Sequence, residues 1–208
     1  MKKWFPVLAL LCCGTALADT DNGSANSAGW KVGGGVGVTM GGDEFGKIHV
    51  VDKTNGKVVN NENLRAGRLF QLDFGTKYRF SNLPVSLQTT FGYHFDTVQG
   101  DDPLNNGAKV SYQFFRYPIE IIPAYHFDKH SVGLGLRYDL RPTYEFTGRF
   151  NYKFKNAPGL ILQYEYEATD NVSVGLRYTA IKYKFQKEED GSQTFKGNHV
   201  GMNAHVWF

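Results

Sequence analysis

Residues 163–180 read QYEYEATDNVSVGLRYTA. With the two leucines just before them, Leu160, Leu162, Tyr164 and Tyr166 fall on one face, and Gln163, Glu165 and Glu167 on the other. Thr169-Asp170-Asn171 then supplies a turn, and Val172, Val174, Leu176 and Tyr178 resume the apolar face opposite Ser173, Gly175, Arg177 and Thr179. A period of two residues is the signature of a strand, and a short Asp/Asn turn between two such runs makes an antiparallel hairpin.

The same alternation extends in both directions. It predicts eight strands over roughly 30–40, 68–80, 85–96, 109–127, 131–146, 159–168, 172–186 and 196–208, with ends uncertain by about 2–4 residues. The fourth strand is expected to change phase near Phe114-Phe115, where a bulge would account for the shift. Pro118 and Pro123 each remove a ladder donor from that strand. The connections alternate in length. Those at 81–84, 128–130 and 169–171 are short; those at 41–67, 97–108, 147–158 and 187–195 are long and polar. An up-and-down barrel puts the short ones at one end and the long ones at the other. The first long connection contains KIHVVDKTNGKVVN, residues 47–60, which reads as a small hairpin.

The chain opens with MKKWFPVLALLCCGTALA. Lys2 and Lys3, an apolar run and the closing Ala16-Leu17-Ala18 have the layout of a cleavable secretory signal over 1–18. The run is too short for a bilayer span of about 20 residues. Cys12 and Cys13 lack the small residues that precede a lipidated cysteine, and the expected mature chain carries no cysteine, hence no disulfide. Residues 19–29 read as a flexible periplasmic leader and 30–208 as one domain. Net charge is +3 for the full chain and falls to about +1 without Lys2 and Lys3. That is no basic excess for nucleic acid.

A soluble lipocalin-like barrel would turn the apolar face inward. The apolar rows are too bulky for that: Phe70, Leu72, Phe74, Tyr78 and Phe80 in one strand, Val85, Leu87, Phe91, Tyr93 and Phe95 in the next. Eight strands leave an interior only just wide enough for side chains to fill. The polar rows hold glycines instead, at 33, 35, 37, 133 and 135. The outward face is also zoned. Trp30, Tyr78, Phe80, Tyr125, Phe127, Tyr166 and Phe208 lie toward the short turns. Phe70, Tyr93, Phe95, Tyr112, Tyr144 and Phe146 lie toward the long loops. Val36, Leu72, Leu87, Leu134, Leu136, Leu162 and Leu176 hold the middle. Aromatic girdles around an apolar band are what a bilayer selects, and a closed barrel leaves no backbone group unpaired in lipid. The expected fold class is therefore all-β: an eight-stranded antiparallel up-and-down transmembrane β-barrel.

The signal, the eight alternating strands, the unequal ends and the terminal HVWF together resemble the small eight-stranded bacterial outer-membrane proteins of the OmpX/OmpA/OmpW type. The resemblance implies residence in the outer membrane of a Gram-negative envelope, in contact with its lipid and lipopolysaccharide. It implies delivery by periplasmic chaperones and the barrel-assembly machinery, for which Phe208, Val206, Ala204 and Met202 match the terminal signal. A monomer is expected, with no nucleic-acid partner.

The inward rows hold Asp73, Lys77, Arg79, Arg116, Glu120, Arg137, Asp139, Arg141, Glu145, Glu165, Glu167 and Arg177. Charges of both signs out of water must pair, so a salt-bridged plug is expected, with Glu120 near Arg137 and Glu165 near Arg177. His94 and His199 are placed inward near the long loops, His126 and His205 near the other end. None has metal-ligand spacing, and no metal, cofactor or catalytic group is expected. His130 and Ser131 are adjacent, and lipid A deacylases of this architecture use a His/Ser pair. Adjacent strand residues point to opposite faces, however. Three roles follow, in order of preference: a non-enzymatic structural or surface-interacting barrel, a small channel for apolar molecules, and a lipid A-modifying enzyme.

Overall fold

The computed structural model describes residues 28–51, 58–102, 108–146, 150–187 and 192–208. The expected signal and most of the expected leader lie outside the described residues. Among the described residues twelve strands are formed: β1 (Gly29–Gly41), β2 (Glu44–Val51), β3 (Val58–Arg65), β4 (Leu69–Arg79), β5 (Val85–Asp102), β6 (Ala108–Phe127), β7 (His130–Phe146), β8 (Phe150–Lys153), β9 (Ala157–Glu167), β10 (Val172–Lys184), β11 (Thr194–Lys196) and β12 (His199–Trp207). Gly29, expected in the leader, is thus already the first residue of β1.

Eight of the strands close into a ring, each antiparallel to its neighbours, in the order β1, β4, β5, β6, β7, β9, β10, β12. Their sequence neighbours are their spatial neighbours, as in an up-and-down barrel. The seam pairs β12 with β1, from Gly33 opposite Trp207 to Gly41 opposite His199. It is locked at its end by two backbone bonds between Val32 and Phe208, of 3.0 and 2.8 Å. Close approach at this seam explains one glycine: a Cβ on Gly35 would collide with the His205 ring.

The four additional strands all sit at the long-connection end. β2 and β3 form a hairpin where the sequence shows one. β8 takes over the pairing of β7 beyond the end of β9, and β11 takes over the pairing of β10 beyond the end of β12. Two connections expected as loops therefore hold short strands, and the third barrel strand runs on to Asp102. These extensions carry the barrel wall well past the apolar belt.

Within the belt, the outward side chains are apolar and exposed, among them Leu72, Phe74, Ile121, Leu134, Leu162 and Leu176, while the inward ones are mostly polar and buried, with Ile122, Ala124 and Ile161 as apolar exceptions. A closed barrel with such a belt is built to span a bilayer. Above the belt the pattern inverts. The inward side chains Val98, Phe114, Ile181 and Tyr183 are apolar or aromatic and buried, and the outward Gln113, Lys182 and Lys184 are exposed. Leu64, Ala66, Phe154 and Ala157 complete this outer core, with Phe45, Tyr112, Tyr144, Phe185 and Phe195 packed against it. The rings meet at centroid distances of 4.6 Å for Phe45 and Phe114, and 4.8 Å for Phe154 and Phe185. The hairpin is tied down by the Arg65 N–H donating to Asp96 Oδ2 at 3.0 Å.

This inversion corrects three expectations. Tyr112, Tyr144 and Phe146 are not girdle residues; they belong to the outer core or are buried beside it. β6 does not change phase: Tyr112, Phe114, Arg116, Glu120, Ile122, Ala124 and His126 all lie on its inner side. What changes at Phe114 is the polarity of the interior. The bulge lies instead in β7. Phe115 pairs with Thr143 but Tyr117 with Leu140, so β7 carries one extra residue there. Arg141, at φ +47°, absorbs it.

Candidate functional site: the charged lumen

Inside the belt, side chains from six strands converge. Arg137 of β7 is the centre. Its Nη1 donates to Glu120 Oε1 and Gln71 Oε1, each at 2.9 Å, and its Nε donates to Asp139 Oδ1 at 2.7 Å. Arg177 of β10 reaches across the lumen and donates from Nη1 to Glu120 Oε2 at 2.8 Å. Its Nε donates to Gln163 at 2.8 Å. Thr90 Oγ1 and Gln71 Nε2 each donate a further bond to Glu120, so this one carboxylate collects donors from four other strands.

Toward the long loops, Arg116 Nε lies 3.6 Å from Asp139 Oδ2. Tyr183 donates its hydroxyl to the same carboxylate oxygen at 2.6 Å. The Arg116 guanidinium also lies over the Phe114 ring, 4.9 Å from its centroid. This is where the ionic interior meets the outer core. Burial there pushes the Tyr183 phenol above its usual range. Burial likewise raises the Asp96 carboxyl, against the lowering pull of the Arg65 N–H and of Arg68 and Arg116.

Toward the short turns, the His205 ring lies between Asp73 and Glu165, at 3.2 and 3.0 Å. Lys77 lies 3.6 Å from Glu165 and 3.7 Å from Glu167. Arg79 reaches Glu167 at 3.3 Å. His126 Nε2 lies 2.8 Å from Ser86 Oγ. Two groups of ion pairs, joined through the hydrogen bonds of Gln71 with Arg137 and Asp73, thus form a ladder along the height of the belt.

Most of the lumen residues chosen from the sequence meet here: Asp73, Lys77, Arg79, Arg116, Glu120, Arg137, Asp139, Glu165, Glu167 and Arg177 all lie in this ladder. Arg141 does not. The bulge turns its side chain to the exposed surface, and its backbone N–H is held by Asn156 Oδ1 at 2.9 Å. Glu120 pairs with Arg137 at 2.9 Å. Glu165 and Arg177 take other partners, because Arg177 stands opposite Gln163 in the register and Glu165 opposite Gly175. Gln71, Gln163 and Tyr183 are site residues that the sequence reading passed over. The inward parity of Gln71 and Gln163 was the available signal. Ser131 is buried inside, whereas the His130 ring packs outside on Phe127, Tyr164 and Tyr166. Among the described residues no cluster of His, Cys, Asp and Glu could hold a metal ion.

Met202, Ala204, Val206 and Phe208, expected from the sequence as an assembly signal, lie on the outer side of the seam. Met202 and Phe208 are strongly exposed there, Ala204 and Val206 partly so.

No protein-family model and no curated protein sequence matches this chain. Solved structures do. The attachment invasion locus protein Ail of Yersinia pestis, in complex with the heparin analogue sucrose octasulfate, has a TM-score of 0.50 and 11% identity, covering 88% of this chain and 99% of that one. Neisserial surface protein A aligns with TM-score 0.48 and 13% identity over 87% of this chain and 98% of its own. OprG of Pseudomonas aeruginosa aligns with TM-score 0.42 and 14% identity over 88% and 97%. The fold is that of the small eight-stranded outer-membrane barrels.

Proposed function

We propose that the protein is a non-enzymatic barrel of the bacterial outer membrane, closed to ions and water-soluble solutes, whose work is done by the surface it presents above the membrane. The observation that carries this reading is the Glu120 knot. Arg137 and Arg177 clamp one carboxylate at the waist of the lumen, and all three side chains are at most 6% exposed. Eight strands leave no spare width around such a knot. The outward separation of His130 from Ser131 supports a barrel without hydrolytic chemistry. In this reading Phe208, Val206, Ala204 and Met202 are read by the assembly machinery, and the barrel acts as a monomer.

The test is reconstitution in planar bilayers. The expected result is no stepwise conductance for the native protein and measurable conductance after Arg137→Ala combined with Glu120→Ala. Stepwise currents from the native protein would sink the closed-lumen reading. A second role, in passing apolar molecules, draws support from the aromatic core above the knot. Uptake of an apolar dye into proteoliposomes, abolished by filling or truncating that core, would favour it over a surface role.

A further inference from the structure

Between the last β9–β10 pair, Gly159 with Ile181, and the bridge of Phe154 to Phe185, the ladder beside β10 is interrupted and a groove of about 600 Å³ opens on the outer wall. Its floor is apolar: Leu136, Leu160 and Ala180, which are continuous with the lipid-facing belt through Leu134, Leu162 and Tyr178. Its upper rim is basic. Lys155, Lys182 and Lys184 line it, and all three are exposed. The Lys155 N–H donates to the Lys184 carbonyl at 2.9 Å, so these two cations are held side by side. Lys182 stands directly opposite Lys196 in the β10–β11 pairing. Like charges directly opposite one another destabilise a strand pair. Among the described residues, none of the Lys155, Lys182 and Lys184 ammonium groups is ion-paired, while the Lys196 backbone N–H donates to Asp43 Oδ2 at 2.8 Å.

We infer that this groove binds an acylated, phosphorylated lipid of the outer leaflet, with lipid A as the occupant in an outer membrane. The inference rests on the outer-membrane reading above. The acyl chains would lie on Leu136, Leu160 and Ala180, and the phosphates would sit among the lysines. Two features select a lipid over a soluble anion. The cations stand at the upper border of the belt, where headgroups lie, and the apolar floor runs down from them without a polar break. A soluble polyanion would meet the rim and leave the floor uncovered. Positive side chains beside an anionic surface each strengthen binding roughly fivefold, less at high salt.

The experiment uses the folded mature chain in detergent, with bound lipid counted by native mass spectrometry. The probes are bisphosphorylated lipid A, the same lipid dephosphorylated, and a soluble polysulfated disaccharide. The variants are K155Q/K182Q/K184Q and, as a control at the opposite end, K129Q. Each variant must first show the mobility shift on heating in SDS that reports a closed barrel. Retention of lipid A by the native protein and by K129Q is expected. Retention should fall at least tenfold in the triple variant and at least tenfold for the dephosphorylated lipid. Equal retention by the triple variant overturns the site, as does equal binding of the dephosphorylated lipid. Tighter binding of the polysulfated disaccharide than of lipid A would assign the lysines to a soluble polyanion and overturn it as well. A native protein without the mobility shift would overturn the barrel reading itself, a failure distinct from loss of the lipid site alone.

Discussion

β10 has two halves with opposite chemistry. In its lower half Leu176 points outward, 53% exposed, and Arg177 points inward and is buried. In its upper half Lys182 points outward and Tyr183 inward, with no change of phase between them. The backbone is continuous, so the difference comes from what lies outside. Beside hydrocarbon the polar side chains must go in; beside water the apolar ones do. The upper half is an ordinary soluble core built from the same strands as an inverted one. Each half should therefore fail under substitutions that the other tolerates.

The largest effect is expected in the lumen. Arg137→Met takes one of two guanidinium partners from both Glu120 and Asp139, and breaking a buried pair on one side costs about 3–5 kcal/mol. Reversible denaturant unfolding in lipid vesicles measures it. Adding Glu120→Gln should recover part of the loss, and no recovery would mean that the two side chains are not energetically coupled.

Phe114→Ala should cost up to a similar amount, about 3–5 kcal/mol, but locally. Hydrogen exchange should rise in β2, β3 and the upper ends of β5 and β6, while the belt strands stay protected. Uniform loss of protection would show that the two halves unfold as one.

Next comes the outer face. Leu176→Arg puts a charge at mid-belt and should cost roughly 2–4 kcal/mol. Gln113→Arg, also exposed on the barrel wall but above the belt, should stay within about 0.5 kcal/mol. Similar losses at the two positions would mean that the border between the halves is misplaced.

Among the lumen, core and belt changes, the smallest effect on the folded barrel should come from deleting Phe208, although its two backbone bonds to Val32 go with it. Its side chain is 63% exposed outside lipid, and complete burial would contribute only about 1.5–3 kcal/mol. Delivery to the outer membrane in cells should fall much further than refolding in detergent. Normal delivery of the truncated chain would leave Phe208 as a girdle residue with no role as an address.

Inside the belt the sequence was readable because two signals agreed: a period of two, and polarity tied to one side. Leu162 and Gln163, or Leu176 and Arg177, show both at once. Above the belt only the period survives, since the sign of the polarity rule reverses. Phe114 then mimics a phase change, and Tyr144 mimics a girdle residue. Arg141 was misplaced for a different reason. A single extra residue in β7 leaves no mark in composition, yet it turns every later side chain to the other face. The partners of Arg177 were hidden as well. Adjacent strands follow from register, but the reach of Arg177 to Glu120 spans the lumen between strands that are not neighbours.

The seam between β1 and β12 turns the order of synthesis into a constraint on folding. β1 finds its second neighbour in β12, the barrel strand farthest from it in sequence, so one of its edges has nothing to pair with until β12 has been made. Contacts between distant parts of a chain form slowly because the intervening segment must be closed into a loop first. During that wait β1 presents an open row of donors and acceptors, and any passing strand can fill it. Gly33, Gly34, Gly35 and Gly37 make this waiting strand a poor one, thin in side chains and weak in β-propensity. Gly33 and Gly35 lie close against Trp207 and His205, so a strand thin in side chains is matched to its own partner and suited to being held open until that partner arrives.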